Sequence, residues 1–239
     1  MGDDQRRRPS GSGPAGGGGA SPLRDELLRL RGEQLDTRPI AEIAAYDAAA
    51  AAAAEARVVE AALHAEQYLP AVFESLEGHG PAEAAEPSEE GGAPLVIMWY
   101  LSGQSPFCRQ TLTAWDRALL QGGGPAPLPS LIALTPEAPE AAERTATALG
   151  VHYPLLHDEG TLADALGIRF RAPAEFAELL GLELDPETPL LPLPACYVAG
   201  KNGRICYSFL HPDPRYRAEP HEAIEAAQAG EAGGRRPAQ

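Results

Sequence analysis

The 239-residue chain is poor in cysteine, in basic residues and in long apolar runs. Its three cysteines are fewer than the disulfide framework of a small secreted protein needs. Because their number is odd, at least one thiol is expected to be free within the chain. Acidic residues (34) outnumber basic ones (19), and the net charge of −15 argues against nucleic acid or an anionic membrane as a partner. The apolar runs at 48–54 and 95–101 are too short to span a bilayer. The arginines near the start are not followed by an apolar segment, so no secretory signal is predicted and the protein is expected to be cytoplasmic.

Composition predicts five segments along the chain: a Gly/Pro/Ser-rich disordered tail (1–22), a helical N-terminal arm (23–77), an acidic linker (78–94), one compact domain (95–228) and a second disordered tail (229–239). Within the arm, one helix is predicted from Leu23 to the break at Pro39 and an alanine-rich second helix from Ala41 to about Gln67. The alanine-rich centre has high helix propensity but little to bury, which favours a packing or dimerisation role over catalysis.

The segment 95–228 alternates strand-like and helix-like patterns, in the order β-α-β-α-β-α-β-β-α. Its first strand, at 95–101, is continuously apolar, as expected for a central strand covered on both faces. Gly200-Lys201-Asn202-Gly203 predicts the turn of a terminal hairpin. Residues 171–192 are predicted to be an irregular insertion. The pattern therefore predicts an α/β domain with a central mixed sheet flanked by helices.

Cys108 stands where the first strand has ended and the next helix begins. The amide groups and partial positive charge at a helix N-terminus favour a thiolate over a thiol, and the thiolate is the nucleophile. Ser105, three residues earlier, places a hydroxyl where it can bond the thiolate or a bound peroxide; Pro106 opens the helix, and Arg109 follows the sulfur with a positive charge. The alternative interpretation is an inert buried thiol.

Several collinear segments resemble the peroxiredoxin-like branch of the alkyl hydroperoxide reductase/thiol-specific antioxidant family. The resemblance covers about Leu95 to Ala227 and rests on five stretches: Tyr100-Leu-Ser-Gly-Gln-Ser-Pro-Phe-Cys108, Leu131-Ile-Ala-Leu-Thr-Pro-Glu137, Tyr153-Pro-Leu-Leu-His-Asp158, Leu193-Pro-Ala-Cys-Tyr-Val198 and Arg217-Ala-Glu-Pro220. It implies a thioredoxin-like fold, here with an N-terminal alanine-rich helical arm. Ser105-x-x-Cys108 is similar to the family's peroxidatic pattern, although Leu101 replaces the proline of that pattern.

By this resemblance, Cys108 and Ser105 are the expected catalytic residues, with Arg109, Phe107 and Pro194 as peroxide-binding or supporting residues. Pro194 is expected to be the cis-proline that faces the cysteine loop, and the arginine that the family brings from a later strand is missing near it.

Cys196 is a possible resolving cysteine, although a structural role is the favoured interpretation. If Gly200 pairs with Gly203, Cys196 and Cys206 project from opposite sheet faces and do not bridge. No cofactor is implied, and no Cys/His spacing predicts a metal site.

The leading hypothesis is a thiol-dependent peroxidase. Its Cys108 becomes a sulfenic acid on reaction with a hydroperoxide and is recycled by thioredoxin or a small thiol; a homodimer is possible. Two alternatives stay open: a non-peroxidase thioredoxin-like redox or sensor protein, and a catalytically decayed interaction module.

Overall fold

The structure is a computed structural model that describes residues 22–76, 94–121, 128–200 and 202–232. Apart from Pro22 and Pro94, the predicted N-terminal tail and the predicted acidic linker lie outside these ranges, as do residues 233–239 of the C-terminal tail. Residues 229–232, predicted to belong to that disordered tail, are instead the last residues of a helix. In this part of the chain, no helix is both long enough and apolar enough to cross a membrane.

The centre of the fold is a five-stranded sheet. From one edge to the other its strands are β3 (Leu155–His157), β2 (Ser130–Thr135), β1 (Leu95–Trp99), β6 (Ala195–Ala199) and β7 (Ile205–Leu210). The pairs β3–β2 and β2–β1 are parallel, and the pairs β1–β6 and β6–β7 are antiparallel. Helices cover both faces, so the predicted α/β arrangement of a central mixed sheet between helices is confirmed.

Side chains of β1 alternate between two apolar clusters, one on each face of the sheet. Val96 and Met98 belong to a cluster that includes residues of α4 (Pro106–Gln121) and α8 (Pro220–Ala232). Ile97 and Trp99 belong to the other cluster, which includes residues of α6 (Thr161–Leu166). The continuous apolar run of this strand is therefore explained by burial on both faces. A further helix, α5 (Pro139–Leu149), connects β2 to β3.

The N-terminal arm packs into the core of the domain. It consists of α1 (Pro22–Thr37), α2 (Ile40–Glu55), the single turn α3 (Val58–Ala61) and a 3₁₀ turn (Ala71–Leu76). The prediction of one helix from Ala41 to about Gln67 is wrong, because the chain turns at Arg57, whose φ of 53° is left-handed. Small buried side chains on α2, such as Ala49, allow it to lie close to α7 (Ala174–Leu179). The alanine-rich helix thus has a partner within the chain, and its role in dimerisation stays a prediction.

The segment predicted to be an irregular insertion is ordered into a helix and two short strands. Strands β4 (Arg169–Arg171) and β5 (Leu190–Pro192) pair antiparallel at its two ends, and α7 lies between them. Phe176 of α7 is fully buried and packs against the ring of Tyr46 in α2. The local sequence is rich in Pro and Glu, and the order comes from this contact with a distant helix.

Candidate active site

Cys108 is the third residue of α4, in the first turn, as the sequence predicts. Ser105 precedes the helix: its carbonyl accepts the N–H of Arg109 at 3.0 Å, and its hydroxyl accepts the N–H of Cys108 at 3.4 Å. This is the geometry of an N-cap. The thiol therefore lies beside the positive end of the helix.

Two donors surround the Cys108 sulfur. The N–H of Leu101, where β1 leads into the loop, points at Sγ with an N···S distance of 3.4 Å. The Nη2 of Arg217 lies 3.6 Å from Sγ. Cys108 itself is 0% exposed. The sulfur is thus completely buried, as in an inert thiol, but it has two hydrogen-bond donors beside it, and one of them is a cation.

Arg217 is itself buried, at 7% exposure, in the segment that joins β7 to α8. Its Nη1 donates to the carbonyls of Pro214 and Tyr216. Within the described ranges it makes no ion pair with a carboxylate, and the Cys108 sulfur is the one contacted group that can carry a negative charge. Because a buried charge is costly unless it is paired, the Cys108 sulfur is the group in contact with Arg217 that can act as its counter-ion.

The sequence-based assignment of Arg109 as the supporting cation needs correction. Arg109 is exposed, and its Nη1 lies 3.4 Å from the carbonyl oxygen of Gly103. The guanidinium at the sulfur belongs to Arg217, which is 109 residues away in sequence. Sequence reasoning included Arg217 in a matching segment without giving it a role.

Tyr46 of α2 is a site residue that sequence reasoning missed. Its hydroxyl lies 3.1 Å from the Ser105 hydroxyl, and its ring packs edge-on against Phe107 at a centroid distance of 5.4 Å. Burial raises the pKa of Tyr46 to about 12, so the phenol keeps its proton at neutral pH. Phe107, predicted as a supporting residue, is fully buried under this ring. The N-terminal arm therefore forms part of the wall of the site.

An ion-pair network joins α2 to the segment that carries Arg217. Arg215 is buried and donates to Asp213 at 2.8 Å and to Asp47 of α2 at 2.6 Å. Its guanidinium carbon also lies 5.7 Å from the ring centroid of Tyr46. These contacts join the helix that carries Tyr46 to the segment that carries Arg217.

The loop before the helix is held by Glu137, which follows β2. The carboxyl ends of parallel neighbours β1 and β2 meet at one edge of the sheet, so Glu137 reaches the loop directly. Its Oε1 accepts the N–H of Gly103 at 3.0 Å and lies 3.0 Å from the Ser102 hydroxyl. A Cβ at Gly103 would collide with the side chain of Thr145 in α5, so the close approach of loop and helix requires glycine here.

The expectation of a cis-proline is wrong: the peptide bond before Pro194 is trans, and the described residues contain no cis bond. Pro194 is buried immediately before β6. A proline is compatible with the start of a strand because no ladder donor is needed there.

Cys196 and Cys206 are both free thiols. Cys196 is 1% exposed, and burial raises the pKa of its thiol well above the usual range. The predicted register of the hairpin is wrong, because Cys196 pairs with Phe209 and a bulge leaves Cys206 as an extra residue. The bulge places Cys206 against the same apolar cluster as Cys196, so the expectation of opposite faces is also wrong.

The described part of the chain has no cluster of three or more His, Cys, Asp or Glu side chains that suits a metal ion.

Comparison with protein-family models and with curated proteins found no match. Among solved structures, similarity extends to a peroxiredoxin-like protein from Aquifex aeolicus (15% identity, TM-score 0.45, 59% of this chain and 75% of that one). It also extends to a PrxQ variant from Xylella fastidiosa (14%, 0.46, 72% and 98%) and to AhpC from Enterococcus faecalis (18%, 0.44, 62% and 82%). At these identities and TM-scores, the chemistry of the site has to be argued from the geometry of this chain.

Proposed function

We propose that this protein is a thiol peroxidase of the peroxiredoxin type, with Cys108 as the nucleophile. The observation that carries the proposal is the contact between the Cys108 sulfur and Arg217 at the N-terminus of α4. A buried cation, a backbone N–H and a helix terminus all converge on one sulfur, which is the arrangement that activates a cysteine for nucleophilic attack.

In the proposed reaction, the Cys108 thiolate attacks the terminal oxygen of a hydroperoxide and the O–O bond breaks. The sulfur is oxidised to a sulfenate, and the hydroperoxide proton moves to the other oxygen, which leaves as water or an alcohol; a proton from solvent then converts the sulfenate to the sulfenic acid. The Arg217 guanidinium stabilises the charge that develops on the leaving oxygen. With the Tyr46 phenol as donor to Ser105, the Ser105 hydroxyl retains its own proton for a peroxide oxygen.

Regeneration requires an external thiol. A first thiol condenses with the sulfenic acid, releasing water and forming a mixed disulfide, and a second thiol displaces Cys108 and leaves as the oxidised disulfide. Cys196 is buried in the sheet and its thiolate is disfavoured, so we assign it a structural role. Thioredoxin or a small thiol in the cytoplasm would supply the electrons.

The complete burial of Cys108 favours a second candidate, a redox-silent protein on the same fold. In that case Arg217 and Cys108 form a structural contact, and the sulfur is reached by solvent only when the surrounding segments separate. The two candidates predict that different thiols react first. A peroxidase reacts at Cys108, whereas a redox-silent protein reacts first at Cys206, which is more exposed than Cys108 and Cys196.

The deciding experiment treats the full chain with one equivalent of hydrogen peroxide and a sulfenic-acid trap, followed by peptide mass spectrometry. Peroxidase function predicts that the trap labels Cys108 before Cys206. Labelling should disappear in Cys108→Ser and persist in the matched control Cys206→Ser. Labelling that follows exposure, with Cys206 first and Cys108 unmodified, would support the redox-silent alternative and remove the proposal.

A further inference from the structure

A cavity of about 250 Å³ is lined in part by Arg217, the residue whose Nη2 contacts the Cys108 sulfur. Four arginines line it, contributed by α1 and by the segment between β7 and α8: Arg24, Arg31, Arg215 and Arg217. None of the described residues that line the cavity is acidic. The chain as a whole has a net charge of −15, whereas the cavity lining is positively charged. This local positive charge would attract a small anion.

Not all of this charge is neutralised by the protein. Arg215 is closely paired with Asp213 and Asp47. Arg24 and Arg31 have only long ion pairs of 3.8 Å, with Glu222 and with Asp213. Their side chains are 56% and 36% exposed, and such pairs contribute little.

Arg217 is the cavity residue that contacts the Cys108 sulfur. Its Nη2 lies 3.6 Å from Sγ, and its Nη1 donates to the carbonyls of Pro214 and Tyr216. Among the described residues it forms no ion pair with a carboxylate. Its positive charge therefore adds to the unbalanced charge of Arg24 and Arg31.

The rest of the lining consists of three apolar residues (Leu27, Leu28 and Phe209) and the stacked rings of His211 and Tyr216, whose hydroxyl accepts a hydrogen bond from Arg31. Leu28 is 52% exposed, so part of this wall faces solvent. Since one water molecule takes about 30 Å³ of liquid volume, the cavity has room for on the order of eight non-hydrogen atoms. A ligand that matches both walls has an anionic head and a short apolar body.

We propose that this cavity binds a small carboxylate with an apolar chain, and that its occupancy is coupled to Cys108 through Arg217. The carboxylate accepts hydrogen bonds from Arg24, Arg31 and Arg217, and the chain lies on the leucines. Arg217 is shared between the carboxylate and the thiolate, so each weakens the binding of the other. The coupling rests on the function proposed above, whereas the binding does not.

The test is calorimetric titration of the full chain with hexanoate, which has eight non-hydrogen atoms. We expect 1-hexanol and hexylammonium to bind at least tenfold more weakly, because neither supplies the charge-assisted hydrogen bonds. Arg31→Gln should weaken hexanoate binding roughly tenfold or more, and Leu28→Ser should weaken it as well. The matched controls Arg144→Gln and Leu120→Ser change exposed residues outside the cavity and should bind as wild type does.

Equal binding of hexanoate and 1-hexanol, or an equal loss in Arg144→Gln and Arg31→Gln, would overturn the site. The coupling is read in Cys108→Ser, which should bind hexanoate more tightly because Arg217 no longer shares its charge with a thiolate. Unchanged affinity in that variant overturns the coupling. Since none of these measurements needs turnover, a failure of peroxidase function and a failure of the cavity proposal give different results.

Discussion

Replacing Arg217 by methionine tests the electrostatic basis of the site. The substitution keeps an unbranched side chain and removes the cation that lies 3.6 Å from the Cys108 sulfur. At that distance and an effective dielectric constant of about 20, Coulomb's law gives roughly 5 kcal/mol for a full charge pair. The hydration lost by both ions offsets most of this, which leaves on the order of 1 to 3 kcal/mol in favour of the thiolate.

Two rates follow from that figure. Alkylation of Cys108 by iodoacetamide should slow by roughly 2- to 15-fold, because the substitution removes the cation beside the attacking sulfur and a change in nucleophilicity compensates for about half of the effect on a logarithmic scale. The reaction with peroxide should slow much more, by roughly 100-fold or more, because Arg217 also stabilises the leaving oxygen.

The assay is stopped-flow or quenched-flow measurement of both rate constants in the Arg217→Met variant, in Arg217→Lys and in the matched control Arg109→Met. Lysine should restore part of the peroxide rate because it restores the charge. Arg109→Met should be close to wild type, since that guanidinium lies over the loop and not at the sulfur. Arg217 does not activate the sulfur if Arg217→Met, folded by circular dichroism, reacts with peroxide at the wild-type rate, or if Arg109→Met shows the larger loss.

Two further predictions concern the contacts that hold the site together. Tyr46→Phe keeps the ring contact with Phe107 and loses the hydroxyl contact with Ser105, so the free energy of unfolding in urea should fall by about 1 kcal/mol. Tyr46→Ala also removes the ring, so the free energy of unfolding should fall by roughly 3 to 5 kcal/mol. Equal losses in the two variants would show that the ring does not pack as described. Burial acts to raise the pKa of Asp213, but hydrogen bonds from Arg215 prevail and the pKa of Asp213 is held below its ordinary value. Asp213 therefore stabilises the fold above pH of about 4, and this contribution is lost as the pH falls through its lowered pKa. The stability gap between wild type and Asp213→Asn, measured by thermal unfolding, should narrow between pH 6 and pH 3, and a constant gap would contradict this assignment.

Cys108 and Cys196 are equally buried but differ in the groups around the sulfur. Burial alone disfavours a charged thiolate, as it does at Cys196, where no charged partner compensates for the lost hydration. At Cys108 the sulfur is equally buried but has Arg217 and the Leu101 N–H as donors. The comparison of these two cysteines within one chain explains why burial by itself does not decide the function.

Features that depend on neighbours in sequence were predictable. The apolar run of β1, the bounds of α5 and α6, and the position of Cys108 in the first turn of α4 follow from periodicity and from punctuation by Ser, Pro and Gly. These signals are local, because backbone hydrogen bonding and helix capping are decided within a few residues. The same holds for the order of strands and helices, since their alternation indicates a sheet with helices on both faces.

The identity of the cation and the burial of the sulfur were decided only by the tertiary structure. Arg217 and Tyr46 come from segments on opposite sides of Cys108 in sequence, and a single residue added by the hairpin bulge changes which face Cys206 occupies. Charge pairing and solvent exposure depend on which distant surfaces pack together, and no local pattern records that choice. The sequence alone therefore determined where the thiol lies on the fold, while packing of the N-terminal arm and of the segment before α8 determined its chemical environment.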